Sequence, residues 1–162
     1  MAVDQSTVTK GRAFVASQRL AEHLQTVLVD LIELHMQGKQ AHWNLVGPNF
    51  RDLHLQLDEI VDFAREASDT VAERMRALHA TPDGRTATVS AATSLPAFPP
   101  GEQSTKNVVD LMTQRLVAAS ATARKVLDDV EAEDASTANL LQEIITGLEK
   151  HAWMLSAENM AG

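Results

Sequence analysis

The chain has 162 residues, 44% of them hydrophobic, with seven glycines, five prolines and a formal net charge of −8, a profile that fits one soluble globular domain and excludes a disordered or fibrous chain. Cysteine is absent, which excludes disulfides and thiolate metal sites and leaves any metal to His, Asp and Glu. The acidic balance argues against a globally basic nucleic-acid binder and suits the attraction of cations. The first residues, MAVDQSTVTKGRAF, contain no apolar signal-like run, and no stretch approaches membrane-spanning length, so the expected location is the cytoplasm.

In chain order, residues 1–18 are small and polar without sustained periodicity and read as a flexible tail, leaving 19–162 as one domain. From Leu20 an apolar stripe runs through Leu24, Val27, Leu31 and Leu34, the three-and-four spacing of an amphipathic helix. It continues through Ala41 and Leu45 and stops at Gly47-Pro48, a pair that ends helices. Asn49 is then expected as an N-cap, with Asp52 placed to favour the positive helix end. A second helix follows, with Leu53, Leu57, Ile60, Val61, Ala64, Val71 and Met75 on its apolar side, fading near His79.

Residues 80–103 hold four of the five prolines and form one connection of a length unusual inside a compact domain. Ser104 is expected to cap a third helix carrying Val108, Met112, Leu116, Ala123, Val126 and Val130. A short acidic turn, EAEDAS, leads to a fourth helix from Ser136 or Thr137, with Leu141, Ile144, Leu148 and Leu155 inward. No credible strand is present. Short turns make helices one and two, and three and four, antiparallel pairs. The connection between the pairs is long enough to return along the whole bundle, so the predicted fold is all-α and ferritin-like, a four-helix bundle with one long crossover.

On the second helix His54 and Asp58, and then Asp69 and Glu73, are i, i+4 pairs on one stripe. One such pair alone reads most simply as a solvated face. Here apolar Leu57, Val61 and Ala64 lie close beside the stripe, and His42 falls in the adjoining turn region. Asp58 and Asp69 are about 16 Å apart along the helix axis, while metal bonds to these donors are about 2.0–2.2 Å. One ion therefore cannot touch both ends. Bundles that close a site within one chain use Glu-x-x-His motifs, and none occurs here. If the second helices of two copies run antiparallel about a two-fold axis, His42, His54 and Asp58 of one meet Asp69 and Glu73 of the other, and two sites result. Imidazole and carboxylate without thiolate suit iron, zinc or manganese.

At these residues the sequence resembles the Dps family, the small ferritin relatives named as DNA-binding proteins from starved cells. The resemblance rests on Lys39-Gln-Ala-His-Trp-Asn-x-x-Gly-x-Asn-Phe, then His54-x-x-x-Asp58 and Asp69-x-x-x-Glu73, and it spans nearly all the chain from Leu20 to Asn159. It implies a short helix within the crossover and a hollow shell of twelve subunits. It further implies a two-iron intersubunit site that oxidises Fe(II), preferentially with hydrogen peroxide, and storage of Fe(III) mineral inside, protecting against oxidative damage. By motif the metal ligands would be His42, His54 and Asp58 of one subunit, with Asp69 and Glu73 of its two-fold mate. Trp43 resembles a family tryptophan placed to donate an electron near the site, although packing is the simpler role for it. Lys39 matches a family lysine, with a catalytic role weighed against a salt bridge.

Glu131, Glu133 and Asp134 read either as a solvated turn or, by the resemblance, as an acidic three-fold pore that draws iron inward. His23, His35, His79 and His151 fit no ligand pattern, and Trp153 reads as core or interface. The alternative function is a nucleoid-associated protein that binds and compacts DNA, with secondary iron chemistry. The first 18 residues offer only Lys10 and Arg12 against Asp4, so direct DNA binding is not favoured. A monomeric carboxylate oxygenase is disfavoured by the missing Glu-x-x-His motifs and the separated ligands.

Overall fold

A computed structural model describes residues 14–160. Four long helices carry the fold: α1 (Gln18–Asn44), α2 (Phe50–Ala77), α4 (Thr105–Glu133) and α5 (Ala135–Ser156), with the short α3 (Thr86–Ala92) in the crossover. This is the expected ferritin-like bundle. Leucine, valine and alanine at helical spacing from all four long helices meet in one core, with Leu24, Leu34, Leu57, Ile60, Met112, Leu116, Leu141 and Leu148 fully enclosed. At Gly38 the α1 and α2 backbones come so close that an added Cβ would lie 2.7 Å from Val61 Cγ2. That approach sets the spacing of the pair that carries the site.

Three local expectations need correction. The predicted tail ends two residues too late, because Ser17 caps α1 and Gln18 begins it: the Ser17 Oγ accepts from Leu20 N, and its own N–H and Oγ–H donate to Glu133 at 2.8 and 2.7 Å. Before Ser17, Ala16 N donates to the Leu78 carbonyl at 3.0 Å, and residues 1–13 of the predicted tail lie outside the described residues. The acidic turn EAEDAS is shorter than expected. Helix α4 runs through Glu133, and one extended residue, Asp134 (φ −148°, ψ 96°), separates it from α5. Arg74 and Thr137 both donate to the Asp134 carboxylate, so a single residue suffices to turn the chain.

A strand pair was not expected, yet Leu45–Val46 (β1) pairs in parallel with Gln103–Ser104 (β2). Two residues per strand give no alternation to read. The pairing ties the α1–α2 turn to the start of α4. Gly47 sits there at φ +125°, and an added Cβ would lie 3.1 Å from Thr105 Oγ1, so both backbone and space require glycine. Asn49 occupies the N-cap position of α2 as expected, but in the left-handed region (φ 61°) and without capping. Its amide donates instead to Glu158 Oε1 at 2.7 Å.

The long crossover is held by two buried charges. Asp30, 2% exposed, accepts from Thr93 Oγ1, Ser94 N, Ser94 Oγ and Thr122 Oγ1 at 2.5–2.8 Å. Arg115, also 2% exposed, donates to Gln37 Oε1 at 2.5 Å and to the carbonyls of Leu111, Pro96 and Ala97 at 2.8–3.2 Å. A connection with no apolar period of its own is thus fixed through its hydroxyl and backbone polar groups, which is how its length is reconciled with a compact fold.

Candidate metal centre

His42 lies in the last turn of α1, where a helix leaves carbonyls without helical partners. His54 lies in the second turn of α2 and faces it. Its Nδ1 is 2.9 Å from the His42 carbonyl, and His42 Nδ1 is 2.8 Å from the His54 carbonyl. A carbonyl can only accept, so each Nδ1–H donates, which leaves Nε2 as the ring nitrogen that could bind a metal. The rings stack with centroids 3.6 Å apart and planes 18° apart, and Phe50 stacks on the outer side of His54 at 5.1 Å. His42 is nearly enclosed, at 7% exposure. Both imidazoles are therefore fixed in tautomer and orientation, the arrangement expected of metal-ligating histidines.

Asp58, one turn beyond His54, has Oδ1 at 3.4 Å from His42 Nδ1 and paired with the ammonium of Lys39. The Lys39 hydrogen bond, reinforced by the two nearby imidazoles, holds the Asp58 carboxyl below the usual carboxylate range despite partial desolvation. His42 thus has both His54 and Asp58 beside it, and of the two roles weighed for Lys39 the structure shows the salt bridge.

Asp69 and Glu73 do not join them. They stand exposed on the same helix about three turns away, and neither takes part in an ion pair among the described residues. Among those residues no three His, Asp or Glu side chains are arranged to hold a metal within one chain. The donor set, neutral imidazole plus carboxylate, fits a borderline divalent ion such as Fe(II), but one chain supplies only part of a coordination shell.

Trp43 adjoins this group and is 68% exposed, so it is not part of the bundle's core. Trp153, equally exposed at 68%, is not core either, contrary to half of its expectation. Among the acidic residues at the α4 end, Glu133 accepts from Ser17 and Asp134 from Arg74 and Thr137, whereas Glu131 is simply exposed. Two of the three candidate pore acids therefore have partners inside their own chain. His35 and His151 are half-buried, with burial the main cause lowering each below the ordinary imidazole value. His23 lies 3.2 Å from Asp129, and His79 ends α2 in the left-handed region. The reciprocal imidazole–carbonyl bonds and the Phe50 stack were not legible from the sequence, since residue type and spacing carry no sign of either.

Residues 21–159 match the ferritin-like domain family. The chain is 35% identical over 86% of its length to DNA protection during starvation protein 2 of Deinococcus radiodurans, spanning 58% of that relative. It is 35% identical to the DNA protection during starvation protein of Agrobacterium fabrum, with 83% of each chain covered. Among solved structures, the crystal structure of the Dps92 from Deinococcus radiodurans superposes with a TM-score of 0.84 at 35% identity, covering 86% of this chain and 85% of that one.

Proposed function

The chain belongs to the ferritin-like Dps family, and from that premise we propose that it is a ferroxidase and iron store. In this reading it oxidises Fe(II), preferentially with hydrogen peroxide, at two-iron sites shared between subunits. It then keeps the Fe(III) mineral inside a homo-oligomeric shell, a dodecamer by resemblance, in the bacterial cytoplasm. The observation that carries the reading is the reciprocal His42–His54 pair with Asp58 alongside. Two imidazoles are held with Nε2 available and a carboxylate beside them, while Asp69 and Glu73, exposed and without an ion pair among the described residues, stand at the far end of the same stripe. Antiparallel two-fold packing of α2 would bring the two half-sites together.

Each group has a physical task. Fe(II) as substrate is taken by His42, His54 and Asp58, with Asp69 and Glu73 of the partner subunit completing the shell of ligands. Few protein ligands leave positions open to the oxidant. Peroxide takes two electrons, one from each of two Fe(II), so no hydroxyl radical need be released. Trp43, exposed beside His42, is placed to supply an electron to a stray oxidising equivalent. Lys39 keeps Asp58 charged before iron arrives and must give way to it. Glu131 is the member of the acidic group free to line an entry pore for iron. DNA is protected, in this account, by removing iron and peroxide. Tight direct binding is not expected, because Lys10 and Arg12 are the only bases among the first 18 residues, and a gel shift that persists in moderate salt would contradict that.

The test is anaerobic mixing with Fe(II), followed by peroxide or, separately, by dioxygen. The reading predicts fast oxidation with about two Fe(II) consumed per peroxide and slow oxidation with dioxygen. Rates equal to a protein-free control with both oxidants would reduce the site to metal binding.

A further inference from the structure

A groove of about 590 Å³ runs along the outer face of the α1–α2 pair, with Leu28 and Ile32 at its floor and His35, Asp62, Arg65 and Asp69 among its lining groups. Asp62, Arg65 and Asp69 are all exposed, and no ion pair among the described residues includes any of them. Arg65 has acids three residues before it and four after, the helical spacings at which pairing is easy, yet it pairs with neither. Arg65 and His35 of α1 line the same groove.

The order of charge along this stripe gives a reason. At 100° per residue, Asp58, Asp62, Arg65 and Asp69 fall within an arc of about 60°. The intersubunit reading above, on which this inference rests, sets the partner's Asp69 and Glu73 on either side of Asp58. The two-fold axis then crosses α2 between residues 64 and 65. In that register Arg65 lies within about 1 Å of the axis along the helix, and the partner's Asp62 is about 3 Å further along. Each Arg65 therefore meets an opposite charge supplied by the other chain, twice per interface, and the four nearby Asp62 and Asp69 carboxylates offset the closeness of the two arginines. The metal ligands alone dictate this register, and the charges, which play no part in choosing it, turn out complementary in it.

We propose that Arg65 is the residue that sets the register of the two-fold α2 packing described above, pairing at the axis with the partner's Asp62. A polyanion such as nucleic acid is a poor occupant of a surface on which acids outnumber bases. A second copy supplies one base for each Asp62 and the matching apolar floor. The pairing would lock the register that completes both metal sites, so that assembly and iron binding share one contact.

Charge reversal tests this without touching a metal ligand. In Arg65→Asp four acids crowd the axis; in Asp62→Arg four bases do. Each variant alone is expected to elute in low salt well below the wild-type mass, with unchanged helical circular dichroism. Mixed one to one, they regain the wild-type mass, because positions 62 and 65 are both basic in one chain and both acidic in the chain that faces it. Wild-type mass for either variant alone would overturn the pairing, and so would a mixture that stays dissociated while both chains are folded. Asp58→Ala, run in parallel, reports on the function separately: full mass with lost iron oxidation supports the shared site whatever the fate of the Arg65 pairing.

Discussion

At the scale of single residues, the site is poised by competition. The Lys39 ammonium holds Asp58 in place and below its ordinary carboxylate range, so an incoming cation must displace it. The pair is partly exposed on both sides and is worth at most about 1 kcal/mol. Lys39→Met should therefore tighten binding of a redox-silent probe such as Co(II) by up to about fivefold, read by titration; unchanged or weaker binding would show that Lys39 does not compete with metal. The sign of the pH dependence follows as well. A depressed carboxyl in the folded state contributes stability above its unfolded value, near pH 4, and loses it only as pH falls through the lower folded value. Metal binding lost between pH 7 and 5 would thus not come from Asp58. His54→Ala removes a ligand together with the partner of the His42 carbonyl, and iron oxidation should fall at least tenfold with the bundle intact.

Individual helices and turns show where sequence reasoning reaches and where it stops. The four long helices were legible because each repeats an apolar residue every three or four positions over six or more turns, as in Leu20, Leu24, Val27, Leu31 and Leu34. The grouping of His42, His54 and Asp58 was legible for the same reason, since periodicity places them on a shared face at a marked turn. The β1–β2 pair was not, because two residues carry no period, and α3 entered only through resemblance. The means of holding the crossover was equally hidden: nothing local to Asp30 signals that Thr93, Ser94 and Thr122 will converge on it. Asp30→Ala leaves four donors to find new partners in a buried site and should destabilise by about 2–4 kcal/mol in urea unfolding, with earlier proteolysis within 80–103. Loss of less than about 0.5 kcal/mol would mean the crossover is held chiefly by Arg115 and packing. Gly47→Ala should cost about 1–3 kcal/mol, since φ +125° and the contact with Thr105 both oppose a side chain.

For the whole molecule, the proposed function makes the chain one half of its own active unit. The two groups of proposed ligands stand about 16 Å apart along α2, and among the described residues no cluster in one subunit closes a site around either. The stripe that separates them is charged and has no ion pair among the described residues. The fold was therefore readable from one sequence, whereas the partner's register is a property of two copies and rests on ligand geometry and charge order together. Mixed assemblies test the shared site most directly. One chain carries His54→Ala and Asp58→Ala, the other Asp69→Ala and Glu73→Ala, and iron oxidation with peroxide is measured for each alone and after joint refolding. The account predicts two inactive homo-oligomers and a mixture with substantial restored activity, because each mixed pair contains one intact site. A mixture as inactive as its parents, at full assembled mass, would contradict a site built from two subunits.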